Sequence, residues 1–256
     1  MSAPWIVALS FALFAGLHLA LGFPPLRPWL VARLGEPRFV AVFSGLAGLS
    51  LLLLAAAVYR YGAHSPPMLA LGEELRWGLA ALAVLGWLCA MASFDGYTRS
   101  PMAVLRTRYG PPAGFQVVTR HGFFVGFAIY AAAHALLVPT VAQAVYFAGF
   151  ALLSLIGAVW QDRKLLHRHG PAYADYMAHT SIIPFAAVLR GRQRLSMPRW
   201  AQCWRPIALT LLPVVLHPWL SMANGAWLAG LLGIGGLAMA ARRWLVAPRV
   251  EVAAGR

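Results

Sequence analysis

Four histidines carry most of the chemistry this sequence offers. His18, His121, His134 and His217 stand in or at the ends of long apolar runs, where an ionisable side chain marks a functional position. Phe11, Phe14 and His18 follow three- and four-residue spacing, so that imidazole shares a helix face with two aromatic rings. Phe123, Phe127, Tyr130 and His134 repeat at i, i+4, i+7 and i+11, which lines three rings and an imidazole along one face. A flat apolar ligand suits such a face, and so does simple packing against a neighbouring helix. His217 precedes Pro218, whose missing amide breaks a helix and frees a carbonyl that the imidazole itself could satisfy. Three further histidines read as solvated: His64 lies in a His-Ser-Pro-Pro loop, and His167 and His169 are about 200° apart around a helix, unsuited to one metal.

The acids narrow the chemistry further. Of seven Asp and Glu, none lies clearly inside an apolar run, and Asp95 and Asp162 stand at run ends. Di-iron sites built from inward-facing Glu and Glu-x-x-His are therefore excluded, as is paired-carboxylate acid and base catalysis. Isolated histidines on aromatic faces suit haem, which needs one or two axial protein ligands and apolar walls. The candidates for holding it are His18, His121, His134 and His217, with Phe127 and Tyr130 as walls and His18 and His134 as metal ligands. Two axial ligands must reach one iron at similar depth. His18 lies about 7.5 Å from the inner boundary, His134 about 20 Å and His217 about 16 Å. His134 with His217 meets that condition, and so does His18 with His121 if the helix carrying His121 shifts inward.

The elements that must position these residues are membrane helices. The chain is 61% hydrophobic and 11% charged, with a mean hydropathy of +0.68, outside the range of soluble domains. The fold class expected is an all-α polytopic bundle forming a single domain over residues 1–256. Seven spans are predicted, roughly 4–23, 39–59, 75–94, 121–138, 140–160, 206–221 and 223–241. Nineteen of the 21 Lys and Arg then fall in the first, third and fifth loops and the C-terminal tail. By the positive-inside rule the N-terminus is expected outside and the tail in the cytoplasm. The net charge of +14 thus reports topology and contact with anionic headgroups in the lipid bilayer, and no nucleic-acid partner is expected. The first run lacks a basic n-region and is long for a signal peptide, so it is expected to remain. The two cysteines, Cys89 and Cys203, face a reducing compartment and form no expected disulfide. The segment Leu26 to Glu36 mixes Arg with aromatic and aliphatic residues and reads as an interfacial anchor. Gly45 and Gly48 read as helix-packing positions, Pro139-Thr140 as a tight helical hairpin, and Tyr173, Tyr176 and Met177 as one face of a short helix capping the inner mouth of the bundle.

A set of short motifs resembles the NnrU family. It comprises Arg120-His121-Gly122, Gly126-Phe127-Ala128, Ala133-His134, Asp162-Arg163-Lys164, Gly170, Thr180 through Ala187, and Gly191-Arg192. His18, Leu26-Arg27, Gly35-Glu36 and Arg38 fit as well, so the likeness covers roughly residues 10–220. It implies a membrane-embedded haem b protein of the bacterial inner-membrane type. The family's plant member, 15-cis-zeta-carotene isomerase, uses ferrous haem to turn a 15-cis carotene double bond to trans, and bacterial members are linked to denitrification and nitric oxide. The likeness assigns haem ligation and catalysis to His18, and an apolar carotenoid to the substrate. It places the second ligand near Leu153-Ser154, where neither side chain can serve. That leaves a five-coordinate site, a replacement such as His121 or His134, or no haem. Two other readings stand beside it: a non-catalytic factor for denitrification or haem delivery, and a membrane methyltransferase of the isoprenylcysteine type. The latter is distantly resembled by Arg120-His121 and the stretch Gly170 to Tyr176, with Gly122 where that pattern has proline.

Overall fold

The computed structural model describes residues 2–23, 26–94, 111–195, 200–223 and 225–246. Every regular element among them is helical, and four of the helices are long and apolar enough to cross a membrane. This is an all-α membrane protein. Asp95 and the basic loop with Arg99, Arg106 and Arg108 lie outside the described residues. The chain forms two compact units, residues 1–65 with 223–256, and residues 66–222.

The first unit holds α1 (Ala3–Gly22), α2 (Leu26–Leu34), α3 (Glu36–Tyr61) and α11 (Ala226–Val246). Gly35 separates α2 from α3 at φ 75°, a conformation that costs glycine little and most residues much. Glu36 in the first turn of α3 and Arg60 in its last both complement the helix dipole. Gly48 does the packing expected of it, because a Cβ there would lie 2.7 Å from the Gly233 carbonyl oxygen on α11. Helix α2 buries no side chain among its own. Arg33 lies over the Trp29 ring at 4.9 Å and Arg27 over Phe39 at 5.4 Å, in keeping with an interfacial anchor.

The second unit holds α4 (Glu73–Ala92), α5 (Gly122–Leu137), α6 (Val141–His169), α7 (Pro171–His179), α8 (Ala186–Leu189), α9 (Trp200–Val215) and α10 (His217–Ser221). Helices α4 and α5 meet backbone to backbone, since a Cβ on Gly86 would come within 2.6 Å of the Tyr130 nitrogen. The α5–α6 hairpin turns at Pro139-Thr140, and strap bonds from Met68 N to Pro139 O (2.8 Å) and from Val141 N to Pro66 O (3.0 Å) hold it. At 29 residues α6 is about 43 Å long. The hydrocarbon layer is only about 30 Å thick, so α6 is longer than a perpendicular crossing needs, and its charged residues, from Asp162 to Arg168, all stand in its last turns. The predicted span 206–221 is two helices, with the break at Leu216 just ahead of His217-Pro218. Inside α9, Pro213 cannot donate to the carbonyl of Leu209. The Trp87 indole of α4 donates to that carbonyl instead, at 3.1 Å.

Candidate functional site

Helix α5 carries an aromatic column. Phe123 and Phe127 stack with centroids 5.8 Å apart at 4°, and Phe127 and Tyr130 at 5.7 Å and 20°. Tyr130 lies 4.2 Å from the His134 ring. The column is local in origin, because helical spacing alone aligns these side chains. Its walls come from other helices: Trp87 of α4 is 5.0 Å from Tyr130, while Phe147 of α6 is 5.0 Å from His134 and Phe150 is 6.0 Å from Phe127. His134 is half-buried, and its Nδ1 donates to the Tyr130 carbonyl at 3.0 Å. A carbonyl can only accept, so Nδ1 carries the proton and Nε2 the lone pair. His217, exposed on α10, brings its ring to 6.5 Å from that of His134. Two imidazoles on opposite sides of one metal ion, each about 2 Å from it through nitrogen, place their ring centres about 6 Å apart.

In the first unit, α1 presents Phe11, Phe14 and His18 on one face as their spacing requires. Phe14 lies 5.7 Å from the His18 ring. Phe43 of α3 closes in at 5.2 Å, with Phe39 stacked beside it. The half-buried His18 imidazole is thus walled by rings from two helices. Phe39 and Phe43 were not among the sequence candidates, although their four-residue spacing was the available signal.

His121 plays a different part. Its ring nitrogen Nε2 donates to Asp162 Oδ1 at 2.6 Å, and the side chain is 1% exposed. Arg120 grips both oxygens of the same carboxylate, with Nε at 3.0 Å from each and Nη2 on Oδ2. Tyr173 of α7 donates its hydroxyl to Oδ1 at 2.6 Å. One acid therefore gathers donors from the start of α5 and from α7. The sequence marks Asp162 as a run end and as part of the Asp162-Arg163-Lys164 motif but not as the partner of Arg120, His121 and Tyr173, which lie 42, 41 and 11 residues away. Burial and the neighbouring Asp162 push the Tyr173 phenol far above its ordinary range, and burial does the same to Tyr176. Each is therefore a neutral phenol at physiological pH.

The residues present suit a group that asks for axial imidazoles rather than a many-ligand cage. No cluster of three or more His, Cys, Asp or Glu forms among the described residues. A haem group would find its protein ligands in His18, or in His134 and His217.

Comparison with known proteins supplies the relatives. The chloroplastic 15-cis-zeta-carotene isomerase of Zea mays is 28% identical over 219 residues, spanning 81% of this chain and 57% of that protein. The chloroplastic enzyme of the same name from Arabidopsis thaliana is 37% identical over 82 residues, 32% of this chain and 22% of that protein. The matches thus span less than two thirds of either relative. No solved structure matches. The family model described as NnrU protein matches residues 6–224, and on that match, which takes in the aromatic column, the Asp162 cluster and all four candidate histidines, the chain belongs to the NnrU family.

Proposed function

We propose that this protein is a membrane enzyme that turns a cis double bond of a carotenoid to trans, with haem b as its cofactor. The observation that carries the reading is the ring column of α5, ending in an imidazole whose free lone pair is set by the Tyr130 carbonyl. The maize and Arabidopsis relatives, both 15-cis-zeta-carotene isomerases, support the substrate class. A polyene is long, flat and apolar, and aromatic walls are the chemistry that would receive it. Haem, held by His18 or by His134 and His217, would supply an electron-rich iron in its reduced state, the chemistry that would ease rotation about the double bond. His18 is the ligand the family likeness implies, and His134 with His217 is the pair whose spacing suits one iron. His134 keeps its lone pair on Nε2 as long as the Tyr130 carbonyl holds Nδ1. The isomerisation moves no atoms between molecules, so no co-substrate is consumed. Seven spans with the N-terminus outside the bacterial inner membrane complete the proposal.

The test is an absorption spectrum of the purified chain, oxidised and dithionite-reduced, with haem quantified, followed by isomer analysis of 15-cis-zeta-carotene under both conditions. A stoichiometric b-type spectrum with turnover only when reduced is expected. Loss of haem in His18→Ala alone supports His18, and loss in His134→Ala and His217→Ala supports that pair. Unchanged haem content and activity in all three would sink the haem assignment.

A further inference from the structure

The stretch between α7 and α8 is held in an unusual state. Phe185 has φ 62° and ψ −8°, a left-handed conformation that disfavours a bulky residue. Three bonds tie the stretch to the residues just before α5: Arg120 N to Ser181 O at 2.9 Å, Phe185 N to Val118 O at 2.9 Å, and Thr119 Oγ1 to Ile182 O at 2.7 Å. Behind it, the carbonyl of the fully buried Ala187 accepts from Arg192 N at 2.9 Å and Gln193 N at 3.2 Å. This pinning does not bury the large apolar side chains. Ile183 is 66% exposed, Phe185 47% and Leu189 84%. Beside them Arg190 and Arg194 are exposed, while Arg192 is spent in part on the Ala178 carbonyl. The only acid between residues 171 and 195 is Asp175, on α7.

The level of this tip is fixed by the same bonds. Its backbone pairs with residues 118–120, and Arg120 in turn grips Asp162, about 21 residues into α6. About 20 helical residues cross the hydrocarbon, so the tip stands at the membrane boundary. Exposed apolar side chains followed in sequence by exposed arginines match the chemistry of an anionic leaflet, rings and aliphatics entering the acyl region and guanidinium groups meeting headgroup phosphates.

We propose that Ile183, Phe185 and Leu189 form a wedge that inserts into the leaflet at the C-terminal end of α6, with Arg190 and Arg194 selecting anionic lipid. The strained Phe185 backbone is the device that turns the wedge outward. It also ties the Asp162 cluster, through Arg120, to the lipid surface.

The test uses the full chain in nanodiscs, in a Cys89→Ser, Cys203→Ser background. A single environment-sensitive label is placed through Ile183→Cys or Leu189→Cys, with Asp175→Cys as the exposed polar control. Lipids carrying a nitroxide near the top of the acyl chain are expected to quench the labels at 183 and 189 several-fold more than at 175. Anionic lipid should deepen that quenching, and Arg190→Gln with Arg194→Gln should remove the difference between anionic and neutral discs. Labels at 183 and 189 quenched no more than at 175 in either lipid would overturn the proposal. In detergent, Phe185→Asn is expected to leave the melting temperature equal or higher, since asparagine tolerates this backbone. A lower value would mean that the ring packs into the fold, and that also overturns the proposal.

Discussion

The indole nitrogen of Trp87 donates to the carbonyl of Leu209 at 3.1 Å, and Leu209 is four residues before Pro213. The proline removes the amide that would serve that carbonyl within α9, and a residue of α4 replaces it. Trp87 thus couples the α4–α9 contact to the aromatic column, since its ring also lies 5.0 Å from Tyr130.

Trp87→Phe is expected to destabilise the protein by about 1–3 kcal/mol, because it leaves a carbonyl without a partner in an apolar setting. Pro213→Ala, which restores the helical amide, should recover part of that loss in the double variant. Melting temperatures of the four proteins in one detergent check this. Strict additivity of the two substitutions would show that the indole bond is not what compensates for the proline.

Asp162→Ala is expected to cost about 3–5 kcal/mol, since the Arg120 guanidinium would remain buried without its counter-charge. Limited proteolysis should then cut within residues 171–193, where α7 loses the Tyr173 bond. The phenol also makes an alkaline prediction. The folded state raises the Tyr173 value above the ordinary 10.0, so above that pH the unfolded chain loses this proton first. Its contribution to stability is complete below about pH 10 and declines as pH rises beyond it. Tyr173→Phe should show a shallower alkaline loss of stability than the parent, measured by denaturation across pH 9–11. Equal slopes would count against the buried phenol.

Gly86→Ala would set a Cβ within 2.6 Å of the Tyr130 backbone nitrogen. Helices α4 and α5 must then separate, with an expected cost of about 1–3 kcal/mol. Because Tyr130 orients His134, the proposed isomerase activity should fall more than the melting temperature alone accounts for. Substitution at Gly16, where an added Cβ meets nothing, is the control and should leave both unchanged.

What the sequence determined by itself is everything that follows from the 3.6-residue period and from composition. The apolar runs place helices, and one helix's own geometry puts Phe123, Phe127, Tyr130 and His134 in file and Phe14 beside His18. Proline marks the break before His217, and the α5–α6 hairpin follows from its lack of loop. Contacts between helices were decided only by the tertiary structure, because they depend on how each helix is rotated and how closely it approaches its neighbour. Thus His121, equally able by sequence to ligate a metal, points Nε2 at Asp162. The Leu209 carbonyl that Pro213 leaves free is met by Trp87 from another helix, and His18 gains Phe43 from a second helix. Close approach through Gly86, Gly126 and Gly48 sets those rotations. A periodic pattern shows which face of a helix is apolar, but the side chain across from it is chosen by packing in three dimensions.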